Sequence, residues 1–148
     1  MRSHLRWLLL CAALPLFGAA PDLLHERWPA VWITHPGALH QYGVYHFRHT
    51  FTLAAKPEHF IVHVSADNRY QLFVNGTSVS RGPAAGDLWH WRYETVDLAP
   101  QLKAGPNTLA AVVWNFAEGA PSAQLTARTA FIVQGHGDAE SVANTGTN

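Results

Sequence analysis

Three observations predict an all-β protein, an antiparallel jelly-roll β-sandwich. Short apolar–polar alternations recur along the 148-residue chain, with turn residues about every dozen positions. Two of them are separated by Asn75-Gly76, the dipeptide that best tolerates the positive φ angles of a two-residue type I′ hairpin. No segment repeats apolar residues at the helical period over an ordinary helix length. About seven short strands without such a helix require two packed antiparallel sheets to bury one face of each.

The N-terminus stands apart. Arg2 and Arg6 precede an apolar run from Trp7 to Phe17 and the small residues Gly18-Ala19-Ala20, which is the pattern of a secretory signal peptide over residues 1–20. The run is about half of the ~20 apolar residues that a membrane span needs, so stable membrane insertion is not expected. Cleavage after Ala20 satisfies the small-residue rule, although Pro21 is an awkward neighbour for the peptidase and leaves the cut open. Cys11 raises lipidation, but Leu10 before it is bulkier than the residue a lipoprotein signal carries there. The chain is expected to be exported, to the periplasm or outside the cell. Losing the leader removes the single cysteine, so packing and not disulfides must hold the fold. It also removes two of the ten basic residues and none of the ten acidic ones, giving a formal charge of −2 with histidine neutral. Nucleic acid is not an expected partner, since phosphate binding rests on clustered basic charge.

A β-sandwich is expected over residues 21–134. Residues 28–33 read as a short aromatic strand, and Pro36-Gly37 opens a loop to Gly43. Residues 44–53 alternate cleanly, with Tyr45, Phe47, His49, Phe51 and Leu53 on the core face and His46, Arg48, Thr50 and Thr52 on the other. Phe60, Val62, Val64 and Ala66 begin the next strand, and Asp67-Asn68-Arg69 is its turn. The hairpin follows, from 70–74 to 77–81. Residues 82–87 form a loop, and 89–98 return as a strand with Trp89, Trp91, Tyr93 and Thr95 sharing a side. Residues 109–114 are almost wholly apolar, as befits a strand lying between others and covered on both faces. A last strand is expected over 124–134. The remainder, 135–148, is small, polar and aperiodic, and reads as a mobile tail or a linker to a downstream domain.

Glycosidic hydrolysis by the usual route needs two carboxylates flanking the scissile bond. Asp67, Asp87, Glu94, Asp97 and Glu118 are the acids of the folded region, and they form no such pattern. Asp97 reads as the cap of the turn after its strand, and Asp87 as a loop residue beside Gly86. No catalytic residue is expected in this chain. Sugar binding needs less: an aromatic face for the apolar side of a pyranose, with polar groups to fix the hydroxyls. The candidates are Arg81, Asp87, Trp89, His90 and Trp91. If Trp89 and Trp91 face solvent they make a stacking platform; if they fill the core they do not. His35, His40, His46 and His49 fall on a loop and on both faces of one strand, so they do not converge as zinc ligands must, and no metal is expected from them. Asn75-Gly76-Thr77 matches a glycosylation acceptor, though the turn already accounts for Asn75 and Gly76.

The residues from Ala66 to Trp114 carry a resemblance. Leu72-Phe73-Val74-Asn75-Gly76, Arg81-Gly82-Pro83, Gly86-Asp87, Trp91-Arg92-Tyr93, Thr95-Val96-Asp97-Leu98 and Gly105-Pro106-Asn107 are similar to the N-terminal, galactose-binding-like domain of bacterial α-L-rhamnosidases. It extends more weakly to Trp28-Pro29-Ala30-Val31-Trp32-Ile33 and Phe47-Arg48-His49-Thr50-Phe51. The resemblance implies an accessory module, with the catalytic acids in a separate helical barrel that this chain does not contain. It also implies a carbohydrate partner, in particular a rhamnose-containing glycan, and a downstream catalytic domain. Folds of this kind often hold a structural calcium in a loop, but no loop here supplies the run of oxygen side chains that would compel one. Three functions are therefore expected to compete. The chain is a carbohydrate-recognition module, or the leading part of a longer rhamnosidase, or a scaffold that docks on another domain through Trp32, Trp114 and Phe116.

Overall fold

The computed structural model describes residues 22–38, 40–121, 124 and 126–146, and the expected signal peptide lies outside them. Seven strands form two antiparallel sheets. They are β1 (Gly43–Leu53), β2 (Ile61–Ala66), β3 (Arg69–Val74), β4 (Thr77–Gly82), β5 (Glu94–Asp97), β6 (Gly105–Asn115) and β7 (Phe131–Gly135). One sheet runs β1-β6-β3-β4 and the other β5-β2-β7. Apart from the β3–β4 hairpin, every connection crosses between sheets, which is the jelly-roll manner of winding.

Period-two alternation builds the core. Val62, Val64 and Ala66 of β2 and Phe131 and Val133 of β7 meet Tyr70, Leu72 and Val74 of β3 and Leu109, Ala111 and Val113 of β6. Phe47, Phe51 and Leu53 of β1 pack against this cluster from the expected face. The hairpin forms as predicted, with Asn75 at φ 50° and Gly76 at φ 86°. Asp97 caps its turn as expected: its Oδ1 accepts from the amides of Ala99 at 3.0 Å and Phe60 at 2.9 Å. β6 lies between β1 and β3, but its second face, with Ala110, Val112 and Trp114, is only half-buried, because among the described residues no element covers the outside of this sheet.

Three expectations are corrected. The strand expected over 89–98 begins only at Glu94, because the Asp87 carboxylate accepts the amides of Trp89 and His90 and bends the chain there. The last strand starts at Phe131, not at 124: Asp67 Oδ2 accepts from Thr126 Oγ1 and the Arg128 amide, and Asn115 donates to Thr126 and Thr129, so side chains hold 126–129 as a loop. Of residues 28–33, only Ile33 pairs, in a bridge to Phe131. Residues 137–146 fold back on the sandwich. A 3₁₀ turn (Gly137–Ala139) leads into a one-turn helix, α1 (Glu140–Ala143), with Ala139, Ala143 and Asn144 buried. Gly135 allows this fold-back, since a Cβ there would overlap the backbone of Ala139. Thr145 then joins Val31 to Val133 through backbone and hydroxyl hydrogen bonds.

Candidate functional site

β2 and β7 are buried on both faces although only one faces the core. Their outer side chains, Ser65 and Ile132, form the floor of a cleft of about 530 Å³. One wall comes from residues 23–32 and the other from the β4–β5 loop, chiefly 89–93. The cleft is concave and mostly apolar, the usual character of a small-molecule site.

The first wall is tied down from both ends. The amide of Ala30 donates to Gln134 Oε1 at 2.9 Å, Ile33 and Phe131 exchange backbone hydrogen bonds of 2.9 Å, and the Trp28 indole donates to the Leu23 carbonyl at 3.1 Å. Trp28 also meets Tyr93 edge-on, with ring centroids 5.3 Å apart, so the two walls touch at this pair. The second wall is set by Asp87. Its Oδ1 accepts the Trp89 and His90 amides, each at 2.8 Å, and its carboxylate holds the His90 Nδ1 at 2.9 Å. That His90 contact, with the two amides, keeps the Asp87 carboxyl below the usual range. Gly86 is needed here, since a Cβ would lie 2.5 Å from the His90 carbonyl oxygen. Ser65 Oγ donates to the Arg92 carbonyl at 2.6 Å and fastens this wall to the floor.

This scaffolding presents aromatic surface to solvent. Trp89 is 88% exposed and Trp32 42%, while half-buried Trp91 rests against Trp32 with centroids 5.9 Å apart. Trp89 is therefore not a core residue. Of the seven exposed large hydrophobic residues among those described, Leu24, Val31, Trp32 and Trp89 line this one cleft, which concentrates the apolar surface in a single patch.

The five residues expected at a site separate into three groups. Trp89, His90 and Trp91 line the cleft together. Asp87 does not line it but shapes the loop that does. Arg81 lies apart, on β4 opposite Gln71 of β3 in the other sheet. Sequence reasoning grouped Arg92 with Trp89, His90 and Trp91 but did not place Arg27, Trp28 and Tyr93 here, and it assigned Trp32 to a docking face. The available signal was the pairing of two aromatic–arginine segments, Arg27-Trp28…Trp32 and Trp89…Trp91-Arg92-Tyr93.

Asp67 is the buried carboxylate to test as a calcium ligand. Its Oδ2 is taken by Thr126 and Arg128, and its Oδ1 has no partner. One free carboxylate oxygen falls short of the six to eight oxygens calcium takes, and among the described residues no three His, Cys, Asp or Glu side chains cluster as ligands. Burial instead pushes the Asp67 carboxyl up, against the pull of its Thr126 and Arg128 hydrogen bonds.

Solved structures share this architecture. A GH78 family rhamnosidase of Bacillus sp. GL1 is 31% identical over 81% of this chain and 13% of its own, with a TM-score of 0.71. The α-L-rhamnosidase of Streptomyces avermitilis, solved with L-rhamnose, is 26% identical over 78% of this chain and 11% of its own, with a TM-score of 0.53. The α-L-rhamnosidase of Dictyoglumus thermophilum shares the fold at 21% identity and a TM-score of 0.60, over 75% of this chain and 14% of its own. No protein-family model and no curated protein matches the chain. The resemblance to a part of α-L-rhamnosidases thus holds in three dimensions, and the chain spans only about an eighth of the length of those enzymes.

Proposed function

We propose that this chain is a non-catalytic carbohydrate-recognition domain of an exported α-L-rhamnosidase-like glycoside hydrolase, and that it binds sugar in the cleft between Trp32, Trp89 and Trp91. The observation that carries the reading is the exposed aromatic cleft itself. Trp89 is 88% exposed on a loop that Asp87, Gly86 and Ser65 hold in place, so a large apolar ring is kept in water without a folding role. A pyranose stacks on such a face through its axial C–H groups. Hydrolysis here is not supported, because no carboxylate lines the cleft among the described residues. The docking face of a pure scaffold finds less support. Trp32 lies on the cleft side of the sheet β5-β2-β7, whereas Trp114 lies on the outside of the other sheet, so the two do not form one patch.

Titration calorimetry of the chain against L-rhamnose, D-galactose, and neutral and acidic polysaccharides tests the proposal. Stacking with a few hydrogen bonds predicts about −4 to −5 kcal/mol for a monosaccharide, a Kd from the millimolar to the high-micromolar range. A folded chain that responds to no saccharide would refute it. Among the described residues no helix is long and apolar enough to cross a membrane.

A further inference from the structure

The basic residues lining the cleft are Arg27 on one wall and Arg92 on the other, with His90 beside Arg92. The ion pairs among the described residues are His25–Asp22, His59–Asp97 and His90–Asp87, so neither arginine has a carboxylate within 4.0 Å. Asp87, on the loop that forms the second wall, is already engaged by His90 and by two amides. Asp22, Glu26 and Glu140 border an adjacent hollow with Arg27, and none of them pairs with it. Two guanidinium groups therefore stand without an ion-pair partner beside a tryptophan platform. A guanidinium offers a planar fork that matches a carboxylate, and it keeps its charge at any physiological pH.

We infer that the cleft selects a carboxylate-bearing saccharide, a uronic acid residue, whose ring lies on the tryptophans while its carboxylate pairs with Arg27 or Arg92. The inference rests on the sugar-binding reading above. It adds that binding depends on charge as well as on ring stacking, which a neutral sugar cannot exploit.

The test compares D-glucuronate with D-glucose by calorimetry on the full chain, with acetate as an anion lacking a ring. A charge-assisted pair predicts about tenfold tighter binding of glucuronate at low salt. The preference should shrink in 0.5 M NaCl as screening rises. Arg27→Gln and Arg92→Gln change exposed side chains, and at least one of them should remove the preference for glucuronate over glucose. Equal affinity for glucose and glucuronate would overturn the inference and leave the sugar-binding reading standing. Acetate binding as tightly as glucuronate would overturn it too, by reducing the site to an anion site. Failure of every saccharide to bind would remove both.

Discussion

Trp89→Ala separates a binding role from a folding role. The side chain is 88% exposed, so removing it exposes little that was buried and opens no core cavity. Its backbone amide, not its ring, makes the hydrogen bond to Asp87, and alanine retains that amide. The expected change in stability is within about 0.5 kcal/mol, which moves Tm by no more than about 3 °C for a domain of this size. The expected change in binding is larger. Loss of one stacking face removes about 1 to 1.5 kcal/mol, close to a tenfold weaker Kd, from a total of about −4 to −5 kcal/mol. Thermal melts and calorimetry on the same samples read both quantities. A Tm fall of ~8 °C or more would mean that the ring supports the fold, and an unchanged Kd would mean that the sugar lies elsewhere.

Three other perturbations follow from the same structure. Gly86→Ala places a Cβ against the His90 carbonyl, and relief of that overlap must shift the loop carrying Trp89 and Trp91; saccharide affinity should fall severalfold or more, and unchanged affinity would show that the loop does not set the site. Asn107 is buried and makes four hydrogen bonds, to the Lys103 amide and carbonyl, the Gly105 carbonyl and the Asn75 side chain, so it ties the turn before β6 to the β3–β4 hairpin. Asn107→Ala should lower the unfolding free energy by about 2 to 4 kcal/mol in urea, and a loss below about 0.5 kcal/mol would show that the network is replaceable. The third concerns pH. Burial, with His136 nearby, holds His63 below its ordinary pKa, so below about pH 6.5 the unfolded chain takes up a proton that the folded chain refuses. This contribution to stability is complete above that pH and declines as pH falls through it, by up to about 1.4 kcal/mol at pH 5.5. His59, raised by its surface contact with Asp97, acts in the opposite sense but in solvent. His63→Gln should flatten the fall between pH 7.5 and 5.5; an identical pH profile in the variant would refute the assignment.

Period-two patterning revealed most of the sandwich because one face of each long strand must be buried. β1 illustrates this, with alternate side chains half-buried along its whole length. The hairpin was legible for a different reason, since few dipeptides accept positive φ at both positions as Asn75-Gly76 does. The site was legible only in part. Alternation placed Trp89 and Trp91 on a strand, but a carboxylate two residues upstream competes for the amides that a strand would use. The opposite wall was hidden because its contacts span the chain: Ala30 reaches Gln134 and Val31 reaches Thr145. The tail was hidden because its packing uses Ala139, Ala143 and a glycine, residues too small to mark an apolar period.

The most direct test of sugar recognition is a heteronuclear NMR titration that follows the tryptophan indole N–H resonances while D-glucuronate and L-rhamnose are added in turn. The cleft account predicts saturable shifts at Trp32, Trp89 and Trp91 with at least one of the sugars, and none at Trp114 on the opposite sheet. Silent cleft indoles with both sugars, or shifts confined to Trp114, would contradict it.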